Sequence, residues 1–65
     1  MTINDLLGQG IEIQGNIIIK KYDEADENYT VLYDDENLNN CNEEIKDREI
    51  TYMYAIDEKL IIEVQ

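Results

Sequence analysis

The C-terminal third of the chain restricts the fold more than any other segment. Ile50, Tyr52, Tyr54 and Ile56 alternate with Thr51, Met53 and Ala55, and Leu60, Ile62 and Val64 alternate again beyond Asp57-Glu58. A two-residue period puts successive side chains on opposite faces of an extended chain. Residues 48–56 and 59–64 are therefore predicted to pair as an antiparallel hairpin turning near Asp57-Glu58.

Two further runs carry the same period. Ile11, Ile13, Ile17 and Ile19 share one face, with Glu12, Gln14, Asn16 and Lys20 largely on the other, which predicts a strand over 11–22. A hairpin at Gly15-Asn16 would turn Glu12 and Gln14 onto the face of Ile17 and Ile19, so a bend or bulge at Gly15 fits better. Tyr29, Val31 and Tyr33 alternate with Thr30 and Leu32 and predict a strand over 29–34, after a solvated turn at Asp23-Glu24-Ala25-Asp26-Glu27-Asn28.

Thr2 is placed to cap a helix, Asp5 completes an acid-bearing capping box three residues on, and Ile3, Leu6 and Leu7 form a stripe ahead of Gly8 and Gly10. Two helical turns are too short to persist alone and must pack on a neighbour. The stretch from Asp34 to Asp47 reads as a long acidic loop with one helical turn, because Leu38, Cys41 and Ile45 fall at i, i+3 and i+7. The expected fold is a single α+β domain over residues 1–65, a short N-terminal helix packed on a four-stranded antiparallel, meander-like sheet. Ile18, Leu32, Met53 and Ile61 would collect on the sheet face away from the helix, where a homodimer or a partner would cover them.

Sixty-five residues bury only about 60% of the surface exposed by the unfolded chain, which leaves a narrow stability margin. Hydrophobic residues at 43% and the absence of proline still favour a folded chain. Cys41 is the only cysteine, so no internal disulfide forms, and no apolar run reaches the length of a membrane span. Together with the lack of a signal-peptide pattern, this predicts a cytoplasmic protein.

Charge is distributed unevenly. Residues 23–49 hold eleven acids against Lys46 and Arg48, a net charge of −9, within a chain whose total is −11. Such a field repels nucleic acid, and five scattered bases cannot build a groove that tracks phosphates. It attracts a basic partner, and the candidate contact residues are Asp23, Glu24, Asp26 and Glu27 in one loop and Asp34, Asp35, Glu36, Glu43 and Glu44 in the next. The bland alternative is that these acids only keep a small protein soluble.

Other chemistry is poorly provided for. There is no serine or histidine, and Cys41 has no imidazole to activate it, so no catalytic residue is assigned and the chain is not expected to be an enzyme. Asp35-Glu36-Asn37-Leu38-Asn39-Asn40 begins like a calcium loop, but Asn40 stands where the turn glycine belongs and Lys46 where the bidentate glutamate belongs. No metal and no cofactor are expected. Gly8, Gly10 and Gly15 precede a strand, whereas a phosphate-binding loop follows one and opens a helix. Five tyrosines, Tyr52 and Tyr54 among them, would fit base stacking only with basic residues alongside; core packing or a protein interface suits them better.

The opening Thr2-Ile3-Asn4-Asp5-Leu6-Leu7 resembles the start of a family of small, acidic type II-A anti-CRISPR proteins of phages and mobile elements. The resemblance implies a DNA mimic, an inhibitor whose acids replace phosphates in the cleft where an RNA-guided nuclease reads duplex DNA. Leu60 to Val64 reads as a strand where that family carries two C-terminal helices, so no inhibitory residue is carried over. The expected function is a small acidic binding protein that blocks a basic nucleic-acid-binding site of a host protein, such as an RNA-guided nuclease or another nucleic-acid enzyme. The alternative is a homo-oligomeric accessory module of a mobile element whose acids serve solubility.

Overall fold

A computed structural model describes every residue from Met1 to Gln65. Helix α1 (Ile3–Gly8) is followed by β1 (Asn16–Asp23) and β2 (Asn28–Asp35), then a 3-10 turn (Leu38–Asn40), helix α2 (Glu43–Lys46), β3 (Ile50–Ile56) and β4 (Lys59–Val64). The α+β class and the number of strands follow the sequence-based expectation. The sheet order does not. It is β2-β1-β4-β3, with β1 and β4 parallel at the centre and an antiparallel hairpin on each side.

The sheet is therefore mixed, not an antiparallel meander, and the reason is burial. Central strands are covered by neighbours on both sides and need apolar runs, whereas edges tolerate polar residues. Ile17-Ile18-Ile19 and Leu60-Ile61-Ile62 are the chain's two runs of three consecutive Ile, Leu or Val residues, and the register sets Ile17 beside Leu60 and Ile19 beside Ile62. The acid-flanked β2 and the tyrosine-rich β3 are left at the edges. The crossover from β2 to β3 runs through the 3-10 turn and α2, in the segment expected to be an acidic loop.

That crossover and α1 cover one face of the sheet. The core is Ile3, Ile17, Ile19, Leu38, Cys41, Ile62 and Val64, with Ile3, Ile17, Ile19 and Ile62 wholly inaccessible to water. Leu38 and Cys41 are buried and Ile45 is half-buried, so the side identified by spacing does face the core, although two short helical pieces carry it. At the N-terminus the Thr2 hydroxyl accepts from the Asp5 amide at 3.1 Å, and the Asp5 carboxylate accepts from the Thr2 amide at 2.9 Å, the reciprocal cap expected from the sequence.

The first strand begins at Asn16, later than residue 11. Gly10 and Gly15 both lie at positive φ, +81° and +90°, so the chain bends twice and residues 11–14 run outside the sheet. Ile17 and Ile19 enter the core and Ile13 packs at its margin, but Ile11 is exposed.

Two bulges change which side chains share a face. Ile19 pairs with Tyr33 and Lys20 with Val31, which leaves Leu32 as an extra residue in β2. Ile50 pairs with Val64 and Tyr52 with Glu63, which leaves Thr51 extra in β3. An inserted residue shifts a two-residue period by one step. Tyr33 and Ile50 therefore face the core, while Tyr29, Val31, Tyr52, Tyr54 and Ile56 face the other way. The single-face assignments of Tyr29-Val31-Tyr33 and of Ile50-Tyr52-Tyr54-Ile56 are corrected accordingly. Leu32 and Met53 move as well: Leu32 packs against the core, and Met53 lies opposite core residue Ile62, so Ile18 and Ile61 alone of the four expected residues occupy the outer face.

Candidate protein-binding face

The outer face of the sheet has no covering layer. The registers align Ile18, Lys20 and Tyr22 on β1 with Ile61 and Glu63 on β4, flanked by Tyr29 and Val31 on β2 and by Tyr52, Tyr54 and Ile56 on β3. Side chains at the rim are open to water, with Tyr52 at 66% and Val31 at 57% exposure, yet Ile61 and Glu63 beneath them are buried. Large apolar and aromatic groups thus gather on one exposed surface.

The centre of this face is polar and ordered. The Lys20 ammonium lies 4.1 Å from the centre of the Tyr29 ring and 5.9 Å from that of Tyr54, within cation–π range of both. The nearby Tyr54 hydroxyl, more than the neighbouring Glu63 charge, raises the Lys20 pKa above its ordinary value. Partial shielding from water raises that of Tyr29, with the Glu63 carboxylate adding to it. The Tyr22 and Tyr29 rings meet at 5.2 Å and 53°, a tilted aromatic pair. Between Tyr22, Tyr29 and Tyr52 the surface dips into a hollow of about 260 Å³, whose wall includes Glu24 and Glu63.

The nine acids singled out in the sequence do not form one cluster. Asp23, Glu24, Asp26 and Glu27 surround the β1–β2 turn, while Asp34, Asp35 and Glu36 lie at the opposite end of the same hairpin. The register sets Asp35 opposite Ile17, six residues from Asp23 along β1, so the two groups lie about 20 Å apart. Glu43 and Glu44 belong to α2, on the covered side. Glu43 is 2.9 Å from Lys46 and accepts from the Asn4 amide at 3.0 Å, bonds that hold its pKa below the ordinary carboxylate value. Glu44 is 3.4 Å from Arg48. The two bases of the acidic segment are thus engaged locally, and only Glu43, Glu44 and Glu49 among the sixteen acids form ion pairs.

Sequence patterning anticipated an uncovered outer face with Ile18 and Ile61 on it, but missed its tyrosines. Its signal lay in Lys20 and Glu63, charged residues in the two central strands, but the bulges at Leu32 and Thr51 hid the alignment of the tyrosines around them. Elsewhere, a second hollow of about 440 Å³ between Leu7, Ile13 and Asn39 contains a single carboxylate, that of Glu12, and no convergent polar set. No three His, Cys, Asp or Glu side chains come together as metal ligands. No helix is long and apolar enough to cross a membrane. No protein-family model, curated protein or solved structure matches the chain.

Proposed function

We propose that the chain is a small acidic binding protein that occupies a basic, nucleic-acid-binding surface of another protein. The observation that carries this reading is the set of unpaired acids at both ends of the β1–β2 hairpin, which leaves most of the −11 charge free to act outward. Clusters about 20 Å apart match roughly six phosphate steps of one DNA strand. Such a field steers a basic groove into contact, and carboxylates at the two ends then pair with its Arg and Lys side chains. An RNA-guided nuclease, implied by the N-terminal resemblance, is one protein with such a groove. The rim tyrosines supply the apolar contact that charge alone does not.

The test is capture by the immobilised protein from a DNA-free lysate, followed by elution with duplex DNA. A basic nucleic-acid-binding protein should be retained at low salt and displaced by DNA. It should not be retained by a variant carrying Glu24→Gln, Asp26→Asn, Asp35→Asn and Glu36→Gln. Equal retention by the variant would contradict the reading.

A second reading is favoured by the uncovered sheet face, namely that two copies pair through it and the acids serve solubility. Charging that face with Ile18→Lys would then dissociate the dimer, and neutralising the four acids would leave it intact.

A further inference from the structure

The hollow on the outer face has the chemistry of a receptor for a single cationic side chain. Tyr22 and Tyr29 form a tilted pair on one side, the exposed Tyr52 lies across from them, and two carboxylates, Glu24 and Glu63, complete the wall. Glu63 is only 8% exposed and makes no ion pair within the chain. Within the chain this carboxylate is met by the Tyr29 hydroxyl and by the Lys20 charge, as an enclosed carboxylate requires. Lys20, next to Glu63 in the β1–β4 register, supplies one positive charge against the two carboxylates and directs its ammonium to Tyr29 and Tyr54. One negative charge and the tyrosine walls remain for an incoming cation.

We propose that this hollow receives one arginine side chain of the partner, with the guanidinium stacked on tyrosine and hydrogen-bonded to Glu63 and Glu24. Arginine suits it better than lysine because its planar, weakly hydrated head stacks on aromatic rings and presents a fork of donors to carboxylates. The inference deepens the proposed function by naming the partner's anchoring residue, and it rests on that reading for the partner's identity. The chemistry of the hollow itself is tested without a partner.

The experiment is an NMR titration of the protein, with its tyrosine rings and backbone amides assigned, against N-acetyl-arginine amide. Matched titrations use N-acetyl-lysine amide and N-acetyl-citrulline amide at the same ionic strength. Arginine should move the Tyr22, Tyr29 and Tyr52 ring signals with millimolar affinity, lysine should move them less, and citrulline should leave them in place. Glu63→Gln should weaken arginine binding about tenfold, as expected for loss of a charge-assisted hydrogen bond. Tyr52→Leu, at an exposed edge position, should weaken it about threefold and provides a second variant should Glu63→Gln fail to fold. The proposal is overturned if citrulline or lysine shifts the same signals equally, if arginine perturbs only the amides of Glu24 to Glu27, or if folded variants bind like the parent. Because the probe is a single amino acid, failure here leaves the capture experiment free to succeed through the hairpin ends alone.

Discussion

The two faces of one sheet are organised on different principles. The covered face is aliphatic and dry, with Ile17, Ile19 and Ile62 fully buried beneath α1 and the crossover. The outer face is aromatic and mixed, with tyrosines at its rim and Lys20 and Glu63 at its centre. Ile61 and Ile62, adjacent in β4, fall on opposite sides of this division. A chain with so small a core gains its stability chiefly from the first face.

The largest difference between the faces should appear on truncation. Ile62→Ala removes a fully buried side chain and is expected to cost about 2–5 kcal/mol, enough to unfold much of a marginal domain. Ile56→Ala, on the outer face and 54% exposed, should stay within about 0.5 kcal/mol of the parent. Urea denaturation measures both, and equal losses would dissolve the distinction.

Smaller effects sharpen it. Thr2 caps the helix that covers the core, so Thr2→Ala should lower stability by about 1 kcal/mol in the same assay. In the β3–β4 turn Asp57 and Glu58 both adopt positive φ, +50° and +63°, as a two-residue primed turn requires. Replacing Glu58 with glycine should relieve that strain and stabilise the chain by roughly 0.5–1 kcal/mol in thermal melts, without altering the outer face.

The smallest effect depends on pH. The pKa of Glu43 is held below its ordinary 4.5 by Lys46 and Asn4, so its folded value lies below its unfolded one. Its contribution is present above pH 4.5 and is lost as pH falls through the folded value. Glu43→Gln should therefore be less stable than the parent near neutrality, and the gap should close with acidification below 4.5.

The covered face was largely legible in the sequence, whereas of the outer face only its existence and the Ile18 and Ile61 positions were. Thr2 and Asp5 announced the capped helix, and Ile17, Ile19, Ile62 and Val64 kept their period in uninterrupted strands. Strand order escaped because alternation reports which face a side chain takes but not which strand lies beside which. Face assignment failed at Leu32 and Thr51, since a bulge is a property of pairing and leaves no mark on composition. The acids were already divided into two loops by the sequence, yet the structure further separates Glu43 and Glu44, on α2, from Asp34, Asp35 and Glu36 at the hairpin's open end.

The central claim is that the outer face is held open for a different molecule. Sedimentation equilibrium at 0.05 M and 0.5 M NaCl tests it most directly, because the higher salt screens the self-repulsion of a −11 chain beyond a few ångströms. The account predicts a monomer at both salts over the whole concentration range. A dimer at high salt that Ile18→Lys dissociates would contradict it and make the outer face an interface between copies of the chain.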